Sequence, residues 1–385
     1  MQSPSAIPFF ISSYAWNFAL GTSMLVVPLY ALHLDMSGVQ IGFLLGFPVM
    51  AQVLFSLAGG AFTDRLGGRS VQLLSFSAMM IAGLMFSVAE SFLPMLLGQF
   101  LLVISRAVYW PSSQTVVTSL PGGHGLQLGR LNAVTNVGQI SGTAAAGVLL
   151  AQWSFLVAFL SLSCMGVIAL LMGLRSPIGK RDADQRHGTM LAQFGPLLRQ
   201  RMVYFSIACA YMAALPITIS FSFYPILLVE FGFPSAAAGG LLALRAVGAV
   251  VASLLISRHL QSTARHALPQ TAMLFVAGGL GLVPLFANSI PVALFLFATG
   301  AGSGIMIVYY QILMSEISTS ANRGTAMAVG GLGWGLSHLS APLVMGYLSD
   351  TVGIALAFHI VGGFALIIAI TFLPLHRWAL QQTAR

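Results

Sequence analysis

Two arginines, Arg106 and Arg245, stand in the middle of long apolar runs. There a guanidinium costs about 2.5–3.5 kcal/mol to insert. For the pair, roughly twice that cost must be offset, against net folding stabilities of about 5–15 kcal/mol. No carboxylate sits at matching depth, because all eight acidic residues fall at the ends of apolar runs or in polar connections. The partners available are backbone carbonyls, neutral polar side chains, water, or an anion brought from outside. A permanently charged planar group with five N–H donors suits recognition of an anionic group. The competing roles are structural, with both groups bonded inside a helix bundle, or a part in proton coupling. Tyr109 and Trp110 follow Arg106 at +3 and +4 and so share its helix face.

The other chemistry-bearing residues are sparse. His338 and His359 are the histidines well inside apolar runs, and imidazole can carry a proton near neutral pH. A midplane carboxylate, the usual proton carrier, is missing. Proton coupling would therefore use Asp35 at the end of the first run, a histidine such as His338, or the substrate itself. No His/Cys/Asp/Glu group has metal-ligand spacing, so no metal and no cofactor are expected. P-loop, HExxH and GxSxG patterns are absent from the sequence, which disfavours an enzyme and an ATP-driven pump.

The elements that must hold these residues are dictated by composition. Of 385 residues, 57% are hydrophobic and 6% charged, against about 25% charged in soluble domains. Such a chain cannot cover its surface in water, so its outer surface is lipid. A spanning helix needs about 20 apolar residues, and twelve runs meet this. They lie at 7–32, 40–62, 71–89, 92–117, 129–151, 154–174, 203–228, 236–256, 268–287, 290–314, 325–346 and 354–374. The first is too long for a cleaved signal peptide and reads as a retained span. Cys164 and Cys209 lie in apolar runs and read as small packing residues.

Fourteen of the sixteen basic residues fall on one side of these spans, from Arg65 and Arg69 to Arg377 and Arg385. Asp35, Glu90, Glu230 and Asp350 mark the other side. The positive-inside rule makes the basic side cytoplasmic, with both termini there, in a multi-pass protein of the cell inner (plasma) membrane. Scattered topology charges also explain the net charge of +8 without nucleic acid. The expected organisation is an N-terminal six-helix bundle over 1–174, a cytoplasmic linker over 175–202 and a C-terminal six-helix bundle over 203–385. The halves repeat at an offset of 193, which sets Arg65 against Arg258, Arg130 against Arg323 and Gly138 against Gly331.

After span two comes Gly60-Ala61-Phe62-Thr63-Asp64-Arg65-Leu66-Gly67-Gly68-Arg69. This resembles the loop G-x-x-x-D-R/K-x-G-R/K-R/K of the major facilitator superfamily, with Gly68 where a basic residue is usual. Span five carries Gly138, Gly142 and Gly147 and resembles a family antiporter motif that has lost its proline and one glycine. The resemblance implies an all-α integral membrane protein whose twelve transmembrane helices form two pseudo-symmetric six-helix bundles. It implies a gating role for Gly60, Asp64, Arg65, Gly67 and Arg69. It also implies a cavity lined by spans one, four, seven and ten, which nominates Tyr14, Asn17, Tyr109, Trp110, Tyr211, Tyr309 and Tyr310, with Arg106 and Arg245, as substrate-binding residues.

The expected function is a secondary transporter working by alternating access, with export preferred by analogy and an anionic or zwitterionic organic substrate preferred from the arginines. The expected partners are a small-molecule substrate, protons or a counter-transported anion, and membrane lipids, for a monomer. A neutral sugar or drug carrier with structural arginines is the first alternative. A non-transporting assembly or sensor protein is the second.

Overall fold

The computed structural model describes residues 6–52, 67–118, 120–121, 123–176, 197, 199–256, 267–318 and 329–381. Among them thirteen α-helices follow in order: α1 Ile7–His33, α2 Gly38–Gly46, α3 Gly68–Ser87, α4 Phe92–Thr118, α5 His124–Gln152, α6 Phe155–Gly173, α7 Arg201–Ser220, α8 Tyr224–Glu230, α9 Ser235–Ile256, α10 Ala267–Leu282, α11 Ser289–Ile317, α12 Leu332–Val352 and α13 Ile354–Leu380. No strand occurs among the described residues.

Nine of these helices are long and apolar enough to cross a bilayer: α1, α3, α4, α6, α7, α9, α10, α11 and α13. Helices α5 and α12, of 29 and 21 residues, are long enough to span but carry more glycine and polar residues. Span seven is broken: α7 stops at Ser220 and α8 resumes at Tyr224. Lipid-facing and packed residues are both apolar here. In α6, Leu156, Leu160 and Leu171 are exposed while Phe159 and Leu162 are buried, as a helix in hydrocarbon requires.

Short polar connections punctuate the spans. Ser37 and Gln40 form a reciprocal capping box at the start of α2. Ser154 and Asn288 cap α6 and α11 through their side chains. Gly67, with φ of 82°, provides the left-handed turn into α3 that a side chain would strain.

The chain divides into two compact units. The first is Met1–Gln185 with Leu228–Ala243, and the second is Arg186–Leu227 with Leu244–Arg385. In the first, α1 packs on α5 and α6, and α3 on α4 and α6. In the second, α7 packs on α12 and α11, and α10 on α11 and α13. Glycines make the closest of these approaches. A Cβ on Gly138 would lie 2.7 Å from the Tyr14 carbonyl oxygen, and one on Gly142 would collide with the Phe18 carbonyl. Close backbone approach of this kind drives helix association in lipid.

The two units repeat one clamp. The Tyr14 hydroxyl meets Ser141 Oγ at 3.1 Å between α1 and α5, and the Tyr211 hydroxyl meets Ser340 Oγ at 3.0 Å between α7 and α12. Tyr211 stands 197 residues after Tyr14, and Ser340 stands 199 after Ser141. The clamp thus repeats a few residues beyond the sequence offset of 193.

Candidate functional site

In the first unit the polar centre lies between α1, α3 and α4. Ser105 and Ser75 face each other across α4 and α3, and each hydroxyl donates to the other's backbone carbonyl at 2.8 Å. Small residues at both positions allow this reciprocal bond. Trp16 of α1 donates its indole N–H to Ser105 Oγ at 2.9 Å and stacks on Tyr109, with centroids 3.7 Å apart and planes 7° from parallel. Asn17 is pinned by two bonds from Nδ2, to the Ser13 carbonyl at 2.8 Å and to the Tyr109 hydroxyl at 3.0 Å. Gln72 Nε2 donates to Ser113 Oγ at 3.1 Å, one turn further along α4.

Asn17 and Tyr109, nominated separately in the sequence, are brought together by that bond, and the Trp110 ring meets Tyr109 edge-on at 5.3 Å. Tyr109 is fully buried, whereas Trp110 is 37% exposed. Arg106, one turn before Tyr109 and Trp110 on α4, is half-buried and engaged by its surroundings. Tyr14 lies apart from this cluster, in the α1–α5 clamp.

In the second unit Arg245 sits in α9 with 4% of its surface exposed. Its backbone packs against Gly300 of α11, where a Cβ would collide with the Arg245 carbonyl. Its side chain lies within electrostatic reach of Tyr224, whose hydroxyl is committed to the Gly279 carbonyl at 3.0 Å. Among the described residues, Arg245 Nε and Nη1 meet no hydrogen-bond acceptor. Buried donors in this state carry the full desolvation cost of the group.

Tyr211 is held by Ser340 in the second clamp. Tyr309 is buried with its ring 6.0 Å from Phe372 of α13, so it faces the interior of its own unit. Tyr310 packs beside the cluster of Leu197, Val203, Met314 and Val329.

Gly60, Asp64 and Arg65 lie outside the described residues. Arg69 donates from Nε to the Gly173 carbonyl at 3.3 Å and from Nη2 to the Leu174 carbonyl. It thus closes the C-terminal end of α6, where a cation is favoured. Asp35 is exposed in the turn after α1, with φ of 53°. His338 is buried: its Nδ1 lies 3.0 Å from the Trp334 carbonyl and 3.2 Å from Thr218 Oγ1. His359 is spent on the Gly281 carbonyl at 2.6 Å.

Sequence reasoning missed Trp16, Ser75, Ser105 and Thr218. The available signal for the first three was helical spacing. Trp16 adjoins Asn17, and Ser105 precedes Tyr109 by one turn. A polar face shared by two spans is a signal for pairing.

Among known proteins, a family profile described as Major Facilitator Superfamily matches residues 8–289 and 203–381. The chain is 28% identical to a nitrite extrusion protein of Bacillus subtilis over 319 residues, 78% of this chain and 77% of that one. It is 23% identical to the quinolone resistance protein NorA of Staphylococcus aureus over 157 residues, 40% of each. Two solved structures share the fold. A variant of the nucleoside transporter NupG aligns with a TM-score of 0.83 at 15% identity, covering 96% of this chain and 99% of that one. A D-xylose–proton symporter aligns with a TM-score of 0.78 at 13% identity, covering 96% and 97%.

Proposed function

The chain belongs to the Major Facilitator Superfamily of transporters, and on that premise we propose that it exports a small anion by alternating access. The observation that carries this reading is Arg245, buried with two nitrogens that meet no acceptor among the described residues. An anion with two or more oxygens supplies those acceptors. A neutral sugar satisfies them without compensating the charge, and a cationic drug is repelled by it. Export and an anionic cargo are also the properties named for the Bacillus subtilis relative. Nitrite is therefore the first substrate to test, followed by nitrate and short carboxylates. The inner membrane, with both termini cytoplasmic, follows from the distribution of basic residues.

Export of an aromatic drug is a second reading. The buried Trp16–Tyr109 stack with partly exposed Trp110 favours it.

A thermal-shift screen of the purified protein separates the two. Nitrite, nitrate, carboxylates, sugars and cationic drugs are compared in the wild type, Arg106→Gln and Arg245→Gln. We expect anions to raise the melting temperature of the wild type and to lose that effect in both variants. Stabilisation by drugs or sugars alone, or by anions equally in all three proteins, would refute the anion site.

A further inference from the structure

We propose that Tyr224 and Thr299 form the size-determining wall of the Arg245 site and limit its cargo to small anions of the nitrite, nitrate and acetate class. This rests on the anion-export reading above and concerns which anions that site admits.

Three helices converge on two adjacent residues of α11, all through residues of the second unit. Thr299 abuts Gly279 of α10, where a Cβ would collide with Thr299 Oγ1. Gly300 abuts Arg245 of α9, where a Cβ would collide with the Arg245 carbonyl. The Tyr224 hydroxyl of α8 donates to the carbonyl of the same Gly279 at 3.0 Å. Arg245, Tyr224 and Thr299, all buried, are thereby gathered at one level of the bundle. Tyr224 lies within electrostatic reach of the guanidinium, yet Arg245 Nε and Nη1 meet no acceptor among the described residues. An anion bound to those nitrogens therefore lies against Tyr224 and Thr299.

The wall has little freedom. The Tyr224 ring packs on Phe358 of α13, with centroids 4.8 Å apart and planes at 56°, while its hydroxyl is held at the other end. Thr299 Oγ1 donates to the Phe295 carbonyl at 2.6 Å, one turn back, and a β-branched side chain is stiff at its first torsion. On the opposite side, the backbone contact at Gly300 fixes α9 against α11. Widening the site means moving packed helices, which close-packed interiors resist.

The chemistry of the wall separates its role from that of Arg245. Both hydroxyl hydrogens are committed to backbone carbonyls, so the two side chains present oxygen lone pairs and carbon. They have no donor left for an anion. Arg245 recognises the charge, and its two neighbours decide how large a body that charge can carry. One methylene too many in a confined pocket costs about 10–200-fold in selectivity, and benzoate exceeds nitrite by a whole ring.

The test compares nitrite, acetate and benzoate in the wild type, Tyr224→Phe, Tyr224→Leu and Thr299→Ala. The readout is the anion concentration that gives half of the maximal rise in melting temperature. The wild type and Tyr224→Phe should respond to nitrite and acetate and require at least about tenfold more benzoate. Tyr224→Leu should lose that preference and respond to benzoate as it does to nitrite. Thr299→Ala trims the same wall more gently and should narrow the preference, which keeps the assignment testable where Tyr224→Leu does not fold. An unchanged preference in every folded variant that trims the wall would overturn the assignment, as would equal responses to nitrite and benzoate in the wild type. Loss of the nitrite response in Tyr224→Phe would make the hydroxyl a ligand and overturn it as well. A wild type that no anion stabilises overturns the anion-export reading, and this assignment falls with it.

Discussion

At the scale of residues, charge and hydrogen-bond satisfaction separate the two arginines. Arg106 is engaged by its surroundings, whereas Arg245 keeps two nitrogens without an acceptor among the described residues. A buried charge whose donors stay unpaired carries its desolvation cost without a compensating bond, and an apolar side chain of similar size removes that cost. Arg245→Met should therefore raise the melting temperature of the anion-free protein and abolish its response to anions. A lower melting temperature would show that Arg245 braces the bundle. Tyr109→Phe removes the acceptor of Asn17 and should cost about 0.6–1.7 kcal/mol, the range for interhelical hydrogen bonds in membranes, measured by thermal unfolding in detergent. Both arginines, and Asn17 as a single candidate, were legible in the sequence, because a charge or amide in an apolar run stands out; that Asn17 meets Tyr109 was not. Trp16 on Ser105 and His338 on Thr218 were not, because each depends on how two spans are rotated about their axes, and an apolar run records little of its own rotation.

At the scale of elements, most spans were readable from length and hydropathy alone, and α1, α4 and α9 agree closely with the sequence boundaries. The break in span seven was not read, although Pro216 and the run of Thr218, Ser220 and Ser222 supply its cause. Gly138 and Gly142 of α5 pack against the Tyr14 and Phe18 carbonyls of α1, and Gly147 packs against the start of α9. Gly142→Leu forces a side chain into the Phe18 backbone. Overpacking of this kind costs about 1–3 kcal/mol, so the variant should melt at lower temperature and part α1 from α5. Gly363, with open space around it, should accept the same substitution with little change. Equal melting temperatures for the two variants would contradict the packing assigned to the α1–α5 seam.

At the scale of the whole molecule, the superfamily fold was legible because its evidence is spread along the chain: low charge, one-sided arginines and the loop ending at Arg69. The cargo is less legible, since it depends on a few side chains scattered along the sequence. Each unit carries one Tyr–Ser clamp and one span-embedded arginine, as two related halves should. Flux of isotope-labelled nitrite from everted membrane vesicles or proteoliposomes tests the central claim most directly. The wild type should move nitrite, competitively with nitrate and carboxylates but not with sugars, and Arg245→Gln at equal abundance should lose most of that flux. Full flux in Arg245→Gln, or competition by sugars and cationic drugs in place of anions, would contradict the account.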